Sequence, residues 1–102
     1  MKLDTEKNGR KLVIRIEGEL NAITAPELKD VVEGAIDDVD EIVFDLSGMG
    51  YTSSAGLRVF LMAQQIMDDK GGKITVIGVN ETVMDIFNET GFVTFLDIST
   101  AE

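Results

Sequence analysis

Cysteine, histidine and tryptophan are absent from the 102-residue chain, and Pro26 is its one proline. Without cysteine there is no disulfide, thiol nucleophile or thiolate metal site. Without histidine there is no Ser-His-Asp triad, imidazole ligand or phosphohistidine relay. Long apolar runs are missing too. The longest, Val59 to Ala63, spans five residues, far short of the ~18–20 that cross a bilayer, so no membrane insertion is expected. The opening Met1-Lys2-Leu3-Asp4-Thr5-Glu6 lacks the apolar stretch of a signal peptide, which makes the cytoplasm the expected location. Positive charge is also scarce: nine basic residues stand against nineteen acidic ones, a net charge of −10. Nucleic-acid binding needs Lys and Arg to neutralise phosphates, so this balance argues against it. It favours a protein partner with a basic docking surface.

What is present reads as one α/β domain. Leu12 to Glu17 is apolar and β-branched, ends at Gly18, and predicts a strand. Leu3 to Glu6, before the Asn8-Gly9 turn signal, is its expected hairpin partner. Thr24-Ala25-Pro26-Glu27 opens a helix, with Thr24 as cap and Glu27 completing a capping box; Leu28, Val31, Val32 and Ala35 form its apolar stripe. The acidic stretch Asp37 to Glu41 lacks the alternating ligands and central glycine of a calcium loop and reads as a solvated turn. Glu41 to Leu46 is a second strand, whose near-continuous apolar run suits a sheet covered on both faces. A loop over 47–52 leads to a long helix from Ser54 to Lys70, ended by Gly71-Gly72. Lys73 to Gly78 is a further strand, Asn80 caps a helix that stops at Gly91, and Phe92 to Ile98 supplies the last strand. The order β-β-α-β-α-β-α-β implies a mostly parallel sheet with covering helices and an antiparallel hairpin at its start.

In such sheets function collects at the carboxyl ends of strands. That rule points to Gly18–Thr24 and to Asp45–Gly56. In the second segment Tyr51, Thr52, Ser53 and Ser54 place four hydroxyls before a long helix. Serine there is a good helix cap, and it is equally well placed to carry a phosphate, because helix N-termini attract anions. Gly56 inside the first turn costs about 1 kcal/mol against alanine. Close helix-on-sheet packing and room for an approaching partner both account for it. No Gly-x-Ser-x-Gly elbow and no phosphate-binding Gly-x4-Gly-Lys-[Ser/Thr] loop occurs, so no enzyme activity is expected.

At these segments the chain resembles the STAS domain family, specifically the bacterial anti-sigma-factor antagonists. The resemblance is carried by Gly18-Glu19-Leu20-Asn21-Ala22-Ile23-Thr24-Ala25-Pro26-Glu27-Leu28, by Asp45-Leu46-Ser47 through Ser53-Ser54-Ala55-Gly56-Leu57, and by Thr90-Gly91-Phe92. It implies a partner switch. The unphosphorylated protein binds an anti-sigma serine kinase of the histidine-kinase-like ATPase fold and frees a sigma factor. Phosphorylation of a loop serine releases the kinase, and a PP2C-type phosphatase resets the cycle. The family pattern often reads Asp-Ser-Ser-Gly or Asp-Ser-Thr-Gly where this chain has Ser53-Ser54-Ala55-Gly56. Ala55 removes the second hydroxyl, so the resemblance points to Ser54, with Ser53 second. Asn21 stands where aspartate is frequent. Asn21, Thr24, Thr52, Ser53, Ser54, Gly56 and Arg58 are the expected partner or nucleotide contacts, and no cofactor is implied. The alternative is a non-catalytic STAS interaction module in a stress-signalling or lipid-transport complex.

Overall fold

The structure, a computed structural model, describes residues 1–94 and 96–98. Strands β1 (Lys2–Asn8) and β2 (Lys11–Leu20) precede helix α1 (Ala25–Ala35). They are followed by β3 (Glu41–Thr52), α2 (Ser54–Asp69), β4 (Lys73–Ile77), α3 (Glu81–Thr90) and a short β5 (Asp97–Ile98). One five-stranded sheet runs in the sequential order β1-β2-β3-β4-β5. Only β1 against β2 is antiparallel; the other three pairings are parallel.

With the parallel strands in sequential order, crossovers of the usual right hand step in one direction and put α1, α2 and α3 on one face of the sheet. Burial follows the pleat accordingly. Leu12, Ile14 and Ile16 of β2 are buried, whereas Arg15 and Glu17 between and beyond them are exposed. The apolar run of β3 therefore does not signify helices on both sides. Ile42, Phe44 and Leu46 point into the core at 0% exposure, and Val43, on the other face, keeps 8% between its in-register neighbours Val13 and Thr75. A line of aromatic contacts ties the layers together. Phe44 meets Phe60 edge-on at 5.0 Å, Phe60 meets Phe87 edge-on at 6.2 Å, and Phe87 stacks on Phe92 at 6.3 Å. Each such pair adds about 0.5–1.5 kcal/mol beyond the area it buries.

Several boundaries differ from the sequence expectations, each for a local reason. Gly18 does not end β2. At φ +97 it takes the left-handed conformation inside the strand, where the ladder to β3 is irregular, and pairing resumes at Glu19 with Tyr51. Residues 47–52 are not a loop, since β2 offers its last residues as a partner and β3 continues to Thr52. Phe92–Thr94 is a 3-10 turn, and only Asp97–Ile98 pairs with β4; Phe95, inside the expected last strand, lies outside the described residues. The two glycines do end α2, with Gly71 at φ +75 and the Gly72 N–H donating to the Met67 carbonyl at 2.7 Å.

The pole of the sheet where β2 and β3 begin is fastened by polar contacts. Arg10 in the hairpin turn donates to both carboxylate oxygens of Asp40, at 2.7 and 3.0 Å. Lys70, just after α2, donates to the carbonyls of Ile36 and Val39 in the turn that follows α1. The acidic stretch is thus a turn whose last aspartate is held by an arginine. At the other pole, α2 approaches the sheet so closely that a Cβ on Gly56 would stand 2.3 Å from Thr52 Oγ1 and 2.6 Å from Leu20 Cδ2.

Two outcomes follow from these contacts. Gly56→Ala overpacks the junction and is expected to lower unfolding free energy by about 1–3 kcal/mol, read from the midpoint and slope of urea denaturation. The hydrogen bonds and charge of Arg10 hold the Asp40 carboxyl below its ordinary value of 3.8. Its contribution is therefore present at neutral pH and lost as pH falls through the depressed value. Urea midpoints measured across the acid range should decline less steeply for Asp40→Asn than for the parent chain.

Candidate functional site

The carboxyl ends of β2 and β3 converge on the start of α2. Leu20 pairs with Thr52, and the Ser53 N–H donates to the Leu20 carbonyl at 2.8 Å, extending the ladder by one bond into the helix start. Beyond Leu20 the chain turns through Asn21–Thr24 before entering α1. Asn21 Oδ1 accepts from the N–H groups of Ile23 and Thr24, at 2.9 and 3.1 Å. Thr24 Oγ1 accepts from the Asn21 N–H at 2.9 Å and donates to the Glu19 carbonyl at 3.0 Å. Asn21 and Thr24 therefore hold the turn together by reciprocal side-chain bonds of the Asx type. The expected capping box does not form: Thr24 has helical φ and ψ, its side chain makes no cap bond, and the first turn of α1 is entered through Pro26.

The β3 strand brings its hydroxyls to the same place but in different states. Ser47 Oγ donates to Asp45 Oδ1 at 2.8 Å, and the Ser47 N–H donates to the same oxygen at 3.0 Å. Thr52 is 1% exposed beneath Gly56, and its hydroxyl donates to the Ser53 carbonyl at 3.2 Å. Ser53 is the N-cap residue of α2 in extended conformation, yet its side chain makes no cap bond. Its Oγ is buried with no partner among the described residues. Ser54 is the first residue of the helix proper, and it is exposed. The sequence expectation of a capping serine thus fails at both positions, because the Ser53 hydroxyl is turned inward and Ser54 already sits inside the helix.

Of the expected contacts, the fold brings Asn21, Thr24, Ser53, Ser54 and Arg58 to one surface, with Asn21, Thr24 and Ser53 only part-exposed. Thr52 and Gly56 lie below it, and the bare Cα of Gly56 is filled by Thr52 and Leu20 rather than open to a partner. Two apolar side chains at this pole carry exposure that the helix and strand patterns did not flag. Ile23 is 88% exposed and Tyr51 44%. The available signal for Ile23 was an isolated large aliphatic between turn-forming polar residues. Lys29 also escaped notice; it stands four residues after Ala25 and so shares that side of α1. Between α1 and α2 a groove of about 500 Å³ opens beside this surface, with Lys29 and Arg58 among its lining residues. The surface thus carries exposed aliphatic, aromatic and hydroxyl groups side by side, a mixture suited to contact with a protein.

Comparison with known proteins agrees with this architecture. The STAS domain family model matches residues 2–102. The anti-sigma-B factor antagonist of Bacillus subtilis is 25% identical over 97 residues, covering 95% of this chain and 89% of its own length. Among solved structures, the anti-sigma factor antagonist SpoIIAA in its unphosphorylated form superposes with a TM-score of 0.82 at 17% identity, over 99% of this chain and 90% of its own. The phosphorylated form of SpoIIAA, a Bacillus cell fate determinant, gives 0.79 at 18% identity over 98% and 93%. The structural likenesses establish the fold, and the family match runs nearly end to end: the chain belongs to the STAS domain family.

Proposed function

We propose that the protein is a non-catalytic anti-sigma-factor antagonist in a partner-switching pathway. In its unphosphorylated form it binds an anti-sigma serine kinase through the surface around Ser54, Ile23 and Tyr51, freeing a sigma factor. The kinase then transfers a phosphoryl group from its nucleotide to Ser54 Oγ and lets go, and a PP2C-type phosphatase removes it. The observation that carries this reading is the different standing of the hydroxyls. Ser47 is engaged by Asp45, Thr52 and the Ser53 Oγ are buried, and Ser54 is exposed at the first position of a 16-residue helix. A phosphate there meets the unpaired N–H groups of the first turn and the positive end of the helix dipole, so the modified chain keeps its fold. The relatives named as anti-sigma factor antagonists, and SpoIIAA, known in both unphosphorylated and phosphorylated forms, support the same reading.

Incubation with the cognate kinase and ATP is expected to add one phosphate, mapped by mass spectrometry to Ser54. Placement on Ser47 or Thr52, or no incorporation at all, overturns the assignment. Ser54→Ala should still bind the kinase but never be released by ATP. Because Ser54 caps nothing, its unfolding free energy should stay within about 0.5 kcal/mol of the parent. Ser54→Asp should bind the kinase more weakly than the parent in the same pull-down.

A further inference from the structure

Basic residues are nearly absent from the helices. Lys29 in α1 and Arg58 in α2 are the only two that the three α-helices contain. Both line the groove between α1 and α2, above an apolar floor of Ala25, Ala55, Val59 and Met62. In a chain with nineteen acidic residues, neither cation takes part in an ion pair among the described residues, and no carboxylate lines the groove there. Ser54 precedes Arg58 by four residues on the same helix. Side chains so spaced are neighbours on one helix face, with Cβ atoms about 5–6 Å apart. Arg58 thus stands between the exposed serine and the groove.

We propose that this groove receives the phosphomonoester carried on Ser54, with the Arg58 guanidinium closing on the phosphoryl oxygens and Lys29 facing them from α1. The proposal rests on Ser54 as the modified residue. Its electrostatics balance: a phosphoserine brings about −1.5 to −2 charges at pH 7, which offsets the two cations of the groove. Arginine suits the role because its planar fork can bind two phosphoryl oxygens at once. The modification then acts at two places. It adds bulk and charge at Ser54, and it withdraws Arg58 from any partner carboxylate that pairs with it in the unmodified state. A partner fitted to a basic groove meets a neutral one, and electrostatic complementarity is lost along with direct access.

The same phosphate chemistry has two sources, the modified serine or a free phosphate compound, and one experiment separates them. Phosphoserine is installed at position 54 by encoded incorporation, so the result does not depend on which residue a kinase selects. The Arg58 Nε–H resonance is followed by nitrogen-edited NMR, and the phosphate by phosphorus NMR across pH. The expected result is a downfield move of the Arg58 resonance on modification. The phosphate titration midpoint is expected roughly half a unit or more below that of Arg58→Gln carrying the same phosphoserine. Arg58→Lys should recover part of that difference, and Lys73→Gln, at the other pole, should leave the midpoint in place. Inorganic phosphate added to the unmodified protein at millimolar concentration should not move Arg58. An unmoved Arg58 resonance in the phosphorylated protein, or the same midpoint in Arg58→Gln, overturns the proposal. Saturable capture of inorganic phosphate by the unmodified protein also overturns it, by making the groove a site for soluble anions. A kinase that modifies another residue would defeat the Ser54 assignment while leaving the groove's answer to an installed phosphate intact.

Discussion

The bare Cα of Gly56, set against Thr52 and Leu20, fixes where the first turn of α2 stands relative to the sheet. With α2 drawn that close, the Ser53 N–H reaches the Leu20 carbonyl and the helix begins as a continuation of the β2–β3 ladder. The pairing of Leu20 with Thr52 in turn fixes the start of the Asn21–Thr24 turn. Ser54 therefore sits on a rigid corner between two strands and a helix rather than on a loose loop. Under the proposed function, a contact held in this way loses little conformational freedom when a partner docks, which favours recognition by a preformed surface.

The core explains why that corner can be exposed without loss of order. Helices on one face of the sheet share a continuous interior in which Phe44, Phe60, Phe87 and Phe92 touch in sequence from β3 to the turn after α3. Asn80 joins this frame to the site. Its Oδ1 accepts from the Val83 N–H at 2.8 Å to cap α3, while its Nδ2 donates to the Met49 carbonyl at 3.1 Å on the outer part of β3. The extension of β3 that carries Tyr51 and Thr52 is thus supported by β2 on one side and by α3 on the other.

Much of this was legible in the residues. Apolar periodicity located the helices and the central strands, Asn80 and the glycines at 71 and 91 marked helix ends, and the strand-end rule selected the surface that holds Ser54. What failed had a common cause. Residues 47–52 set Met49 and Tyr51 among glycines and hydroxyls without a clear strand period; their pairing comes from β2, which a local reading does not contain. Gly18 resembled a stop because a glycine at positive φ serves equally as a strand end or as a bend within a strand. The capping roles of Thr24 and the serines failed because other neighbours decided where each hydroxyl points, for Thr24 local ones within the turn itself. Thr24 is drawn to Asn21 and Glu19, and Ser53 is turned inward. The depth of Thr52 and Gly56 followed from the approach of α2, a distance no spacing rule expresses.

The fastening of the opposite pole has a consequence of its own. Arg10 with Asp40, and Lys70 with the carbonyls of Ile36 and Val39, all lie where β2 and β3 begin, a full strand length from Ser54. These polar fastenings are thus separated in space from the surface proposed to meet partners, whereas the Gly56 contact lies beside it. Substitutions at the fastened pole can change robustness to acid while leaving the proposed recognition corner untouched.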